Sequence, residues 1–152
     1  MIEFIPLESY KQIVGKDNVT TGWITINQER IKLFADATED WQWIHVDAEA
    51  AKKGPYGTTI AHGFLILSLL SQFSYSGKYA PEGLKLIVNY GLNKARFINA
   101  VPVGSRVRSH MVTSGIEEKS PTQLLVTVTH TIEIEGQEKP ACVAETLGMI
   151  VF

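Results

Sequence analysis

A strict two-residue alternation marks the C-terminal half of the chain. Leu124, Val126, Val128, His130, Ile132 and Ile134 alternate with Leu125, Thr127, Thr129, Thr131, Glu133 and Glu135. A period of two with one apolar side predicts a half-buried strand. Ile134-Glu135-Gly136-Gln137 predicts a turn, and Ala141 to Phe152 a further strand. Leu84 to Asn99 and Ser105 to Ser114 read as two more, separated by Pro102 and Gly104. The N-terminal half carries helical spacing instead. Pro6 to Val14 predicts a short helix stopped by Gly15, and Gly22 to Ile26 a short strand. Asn27 is placed to cap a helix running to about Ala37, with Ile31, Phe34 and Ala35 on one face and Ile26 and Ile31 set to staple its start. Asp47 caps a second helix that ends at Lys52, Lys53, Gly54 and Pro55. A third, from His62 to about Ser76, is apolar almost all round, which predicts burial on most sides. Ser68, Ser71 and Ser74 on it permit close backbone approach.

A buried helix followed by consecutive long strands is an α+β pattern. An antiparallel sheet wrapped around that helix buries both. The small residues Cys142, Ala144, Thr146 and Gly148 on one strand face leave room for the helix. We see no internal repeat or linker, so 1–152 is expected to form one domain. The chain is 45% hydrophobic and 20% charged, which argues against disorder. A net charge of -2 gives no basic excess for nucleic acid. The lone Cys142 forms no internal disulfide. No stretch approaches the ~18 apolar residues of a membrane span, and Met1 to Pro6 does not read as a signal peptide. A cytoplasmic protein with no membrane partner is the expectation.

Reactive side chains are densest in Asp36-Ala37-Thr38-Glu39-Asp40-Trp41-Gln42-Trp43-Ile44-His45, between two predicted helices. On a continuous helix Asp40 and His45 would stand about 140° apart and fail to converge. On an irregular connection they can face one water. A carboxylate and an imidazole meeting there suit hydration or dehydration, which removes one proton and delivers another. Trp41, Trp43 and Ile44 offer an apolar wall that would exclude bulk water and perturb both groups. The plainer alternative makes Asp40 a turn or capping residue and His45 a surface residue. His45, His62, Asp40 and Asp47 supply metal-ligand types without a recognised metal spacing, so no metal is expected.

Gly57-Thr58-Thr59-Ile60-Ala61-His62-Gly63-Phe64 precedes the apolar helix. Gly63 at its start either leaves backbone N–H groups open to polarise a carbonyl or simply permits close packing, with His62 as cap or interface residue. His130, on the apolar strand face, reads as a hydrogen-bonded core histidine. His110 alternates with Arg106 and Arg108 on a face that reads as solvated, and Cys142 as a small core residue. No nucleophile elbow, phosphate loop or dinucleotide glycine pattern is present.

Asp40-Trp41-Gln42-Trp43-Ile44-His45, with Ala50 beyond it, resembles the motif of MaoC-like (R)-specific enoyl-CoA hydratases: aspartate, any residue, asparagine, proline, an aliphatic residue, histidine. Ile60-Ala61-His62-Gly63-Phe64-Leu65 is similar to the start of that family's central helix. Asn93 to Arg108 resembles the strand region of the branch named after nodulation protein N. The resemblance spans about Ile26 to Phe152. It implies a hot dog fold, usually dimeric, and reversible syn hydration of a trans-2-enoyl-CoA to the (R)-3-hydroxyacyl form. Asp40 and His45 would match the catalytic pair, and the Gly63 N–H the oxyanion donor, with Gln42 and His62 beside the substrate. No cofactor is implied beyond the CoA thioester itself. Arg96, Arg106 and Arg108 are candidates for the CoA phosphates, with structural ion pairing as the alternative for each.

Two departures stand out. The motif asparagine is Gln42 and the proline is Trp43. They leave a second reading open, a non-catalytic acyl-thioester binding module or subunit. A hot dog thioesterase would need a carboxylate on the helix, and His62 to Ser76 has none. The His-Phe-Pro motif of acyl-carrier dehydratases is also absent.

Overall fold

A computed structural model describes residues 2–152. The elements in chain order are β1 (Glu3–Ile5), α1 (Leu7–Lys11), β2 (Val19–Thr20), β3 (Ile24–Thr25), α2 (Gln28–Thr38), α3 (Trp43–Val46), α4 (Ala48–Lys52), α5 (Gly63–Ser74), β4 (Tyr79–Pro81), β5 (Leu86–Phe97), β6 (Arg106–Ser120), β7 (Gln123–Ile134) and β8 (Cys142–Val151). The main sheet is antiparallel, in the order β2-β6-β7-β8-β5, with β3 also paired to β6. β1 and β4 form a small parallel pair.

The alternation read in β7 is the alternation observed. Leu124, Val126, His130, Ile132 and Ile134 are buried, and Thr127, Thr129 and Thr131 are partly covered on the other face. Opposite residues in an antiparallel pair share a face, so Cys142 and Ala144 of β8 stand beside Ile132 and His130. Leu65, Ile66, Leu69, Leu70 and Phe73 of α5 pack there with Ile26 and Ile31 in one core cluster. The absence of bulk at Cys142 and Ala144, both 0% exposed, lets the helix approach. Register shifts at Asn89/Gly91 and Leu92/Lys94 in β5, and at Thr113/Gly115 in β6, bend the strands around it. A sheet curved over a central helix is the hot dog fold.

The helix caps follow the sequence. The Asn27 side chain accepts from Arg30 N, and Asp47 accepts from Glu49 N and Ala50 N. Two expectations need correction. The central helix begins at Gly63, with His62 as its cap residue. It is also not buried on most sides: Phe64, Ser68, Ser71 and Gln72 are exposed, Phe64 at 68%. Its covered side holds Leu65, Ile66, Leu69, Leu70 and Phe73, and its open side carries Phe64 among serines and Gln72.

His130 is fully buried on β7, with Nδ1 bonded to Ser109 Oγ at 3.0 Å and Nε2 without a partner among the described residues. It is therefore a half-satisfied core histidine. Burial pushes its pKa from 6.5 down to about 4. The unfolded chain takes up this proton near 6.5 and the folded chain only near 4. Stability is therefore full above that window and falls as pH drops through it. Denaturant titrations of the wild type from pH 7 to pH 4 are expected to show this loss, on the order of 2–3 kcal/mol for this group. His130→Gln is expected to flatten it.

Candidate active site

Asp40 lies in an irregular link between α2 and α3. The link is set by Glu39, which ends α2 in the left-handed region at φ 59°. This residue turns the chain so that Asp40 and His45 are not on one continuous helix. The carboxylate of Asp40 and the rings of His45 and His62 bring donor atoms within 4.8 Å of one another. Asp40 and His45 thus converge, and His62 joins them.

His45 is 6% exposed. Its Nδ1 lies 2.8 Å from the Ile60 carbonyl, which can only accept, so Nδ1 carries the proton. Nε2 is then left with a free lone pair. Burial pushes the pKa of His45 down, opposed by the Ile60 bond and by Asp40, and reinforced by His62. The ring is consequently neutral at neutral pH and ready to accept a proton at Nε2.

His62 donates from Nε2 to the backbone carbonyl of Asp40 at 3.0 Å and stacks on His45 with centroids 3.8 Å apart. Its Nδ1 is buried without a partner among the described residues. It braces the backbone of one group and the ring of the other. The planes of the two imidazoles are within 22° of parallel, so one ion cannot lie along a lone pair of both. The Asp40 side chain is 54% exposed and accepts a long bond, 3.4 Å, from Gln42 N.

A cavity of about 540 Å³ opens beside His45. Ile44, Tyr56, Gly63, Ile66 and Phe97 are among its walls. Its size is that of a small-molecule site. The apolar wall differs from the one expected. Trp41 is 54% exposed and donates to Asp36 Oδ1, and Trp43 packs over Gly54, where a Cβ would sit 2.7 Å from the indole. Of the three anticipated residues only Ile44 lines the cavity; the rest of the wall comes from distant elements, Phe97 above all. Gly63 is the first residue of α5, so its N–H has no acceptor within the helix. A Cβ there would stand 3.1 Å from the Phe97 ring, a tight approach that a small shift of the ring would have to relieve.

The remaining candidates lie elsewhere. Arg106 and Arg108 bond Glu135 and Glu133 and cover Trp23 on the outer face of β6, away from the cavity. Arg96 is exposed on β5 opposite Val143, on the face away from Phe97, with no ion-pair partner among the described residues. Gln42 is exposed and begins α3 without a side-chain cap bond.

Residues 10–135 match the family model described as MaoC like domain. The chain belongs to the MaoC-like family. It is 54% identical over 125 residues to 3-hydroxyacyl-thioester dehydratase Z of Mycobacterium tuberculosis, covering 82% of each protein. It is 44% identical over 140 residues to nodulation protein N of Rhizobium leguminosarum bv. viciae, covering 91% of this chain and 87% of the relative. The fold is shared with the (R)-hydratase from A. caviae involved in PHA biosynthesis, at a TM-score of 0.70 and 22% identity over 88% of this chain and 95% of that one.

The MaoC-like chain keeps its loop geometry at a conformational cost. A non-glycine residue in the left-handed region is strained by about 1–2 kcal/mol, and among the described residues none bonds the Glu39 side chain to offset this. Glu39→Gly relieves the strain and gives back part of it as unfolded-chain entropy. The variant is expected to be more stable by roughly 0.5–1 kcal/mol, read as a higher Tm in thermal denaturation.

Proposed function

We propose that this MaoC-like hydro-lyase interconverts a trans-2-enoyl thioester and the (R)-3-hydroxyacyl thioester by syn addition or loss of water. The observation that carries the reading is the convergence of Asp40 with a neutral His45, whose proton-accepting nitrogen is assigned, beside a cavity that Gly63 also lines. Water held between Asp40 and His45 adds its oxygen to C3 and gives its proton to His45 Nε2. The imidazolium then returns a proton to C2 on the same face, which makes the addition syn. Asp40 orients the water and stabilises the transient imidazolium. Negative charge develops on the thioester oxygen in between. The Gly63 N–H at the positive end of α5 is the donor we assign to it. Such a donor typically contributes about 2.7–4 kcal/mol.

The chemistry in this form uses side chains, one backbone N–H and water, with no cofactor apart from the thioester carrier. With CoA as that carrier, none of the three candidate arginines faces the cavity: Arg106 and Arg108 hold glutamates, and Arg96 projects from the opposite face of β5 to Phe97. The names of the relatives, 3-hydroxyacyl-thioester dehydratase Z among them, agree with this class of reaction. The test is addition of water to enoyl-CoAs of several chain lengths with chiral analysis of the product. Asp40→Asn and His45→Gln are each expected to lower kcat by at least ~100-fold. Wild-type turnover in either variant removes the assignment. Binding of enoyl-CoA with no loss of the conjugated-thioester absorbance would support the non-catalytic binding module instead.

The same reading includes a homodimer. β5 ends the sheet, and Leu86, Ile87, Val88, Tyr90 and Leu92 on it are 45% to 60% exposed. Phe64 and Tyr75 at the two ends of α5 add 68% and 77% exposed rings. A long apolar edge of this kind is an unfinished interface. Sedimentation is expected to give twice the 16.9 kDa chain mass. Tyr90→Lys together with Leu92→Lys is expected to shift the protein to monomer.

A further inference from the structure

We infer that Gln28 is a positioning residue of the reaction, holding His45 through a half-buried amide clamp. The starting point is α3, a four-residue helix too short to satisfy its own carbonyls. His45 sits in its last turn, and the carbonyl of His45 accepts a hydrogen bond from Gln28 Nε2 at 2.8 Å. The other end of the same amide, Oε1, accepts from Thr59 Oγ1 at 2.6 Å. Thr59 is 2% exposed, and its hydroxyl must find a partner or bear the cost of burial. One side chain therefore ties the backbone of His45 to the segment that leads into α5. The Gln amide carries a donor and an acceptor on one planar group without needing a particular protonation state, and it reaches one methylene further than Asn.

The clamp closes a ring of bonds around the imidazole. Ile60 N donates to the Ile44 carbonyl at 3.0 Å, and His45 Nδ1 donates to the Ile60 carbonyl at 2.8 Å. Val103 N donates to the Thr59 carbonyl at 2.9 Å, fixing the second segment to the loop before β6. Gln28 is thus braced on both sides, at the first position of α2, where Asn27 fixes the start of the helix. The consequence for the reaction, which rests on the function proposed above, is that the direction of His45 Nε2 depends on Gln28 although Gln28 does not line the cavity.

The test uses the full chain and four variants, each checked for an unchanged circular dichroism spectrum. Gln28→Leu removes both bonds at nearly constant volume and is expected to lower kcat about 10–100-fold, the scale of a misplaced catalytic group, with KM within about twofold. Thr59→Val removes one bond and is expected to lose less; the double variant should be no worse than Gln28→Leu, because both act through one network. Gln28→Glu supplies the distinctive readout. Its carboxylate repels the His45 carbonyl, but the protonated acid donates and accepts as the amide does. Its activity relative to the wild type is therefore expected to rise as pH falls towards 5, and that of Gln28→Leu is not. Nitrogen chemical shifts of the His45 ring, read without substrate, should report the Nδ1–H form in the wild type and a mixture of tautomers in Gln28→Leu. Unchanged ring shifts together with wild-type kcat in Gln28→Leu overturn the clamp. An inactive wild type with altered ring shifts in the variant would overturn the proposed reaction and leave the clamp standing.

Discussion

The hydrogen bond from His45 Nδ1 to the Ile60 carbonyl is the constraint on which the site depends. It fixes the tautomer, so the only lone pair on the ring is at Nε2. It also joins α3 to the segment that leads into α5, two parts of the chain fifteen residues apart. That segment is in turn bound to the loop before β6 through Ala61 N to the Val101 carbonyl, 2.8 Å, and Val103 N to the Thr59 carbonyl, 2.9 Å. His45, the start of the central helix and the wall of the cavity are therefore one mechanical unit. Moving any of them strains backbone bonds in the others.

This organisation explains how a loop with glutamine and tryptophan in the motif can hold its shape. A proline would restrict the backbone by its ring. Here the large ring of Trp43 lies on Gly54, close enough that no Cβ fits there, and α3 is pinned from outside. Gln42, at the exposed start of α3, makes no side-chain cap bond, so the motif amide does not stiffen the loop there. Restraint has moved from the covalent structure of the loop to its packing and to the polar contacts of α3 with α2.

The part of this legible in the sequence was the part governed by local rules. Alternation found β7, and capping chemistry found Asn27 and Asp47 with their helices. The convergence of Asp40 and His45 was legible only as a condition, that the link between them be irregular. Glu39 meets that condition with a backbone state that no propensity assigns to glutamate. Phe97, Gln28 and Thr59 were out of reach for another reason. Their roles come from contacts 17 or more residues apart, and a phenylalanine on a strand or a glutamine at a helix start carries no local mark of them. Arg106 and Arg108 carry the reverse lesson, since the glutamates and the indole that hold them were equally distant or unremarked.

The central helix shows where a periodicity argument misleads. Its mean composition fits burial on every side, yet Phe64 and Tyr75 remain more than two-thirds exposed, while Leu65, Ile66, Leu69, Leu70 and Phe73 are covered. An apolar stripe tells how much surface avoids water, not which molecule covers it. β5 follows the same logic: one of its faces meets α5 only at isolated points such as Ala95 and Phe97, and the rest stays open. The serines of α5 lie on or beside the open side and keep it shallow. Ser68 and Ser74 turn their hydroxyls back to the Phe64 and Leu70 carbonyls, so their polar atoms are satisfied within the helix itself. Covering that side would then leave those two hydroxyls with their hydrogen bonds intact.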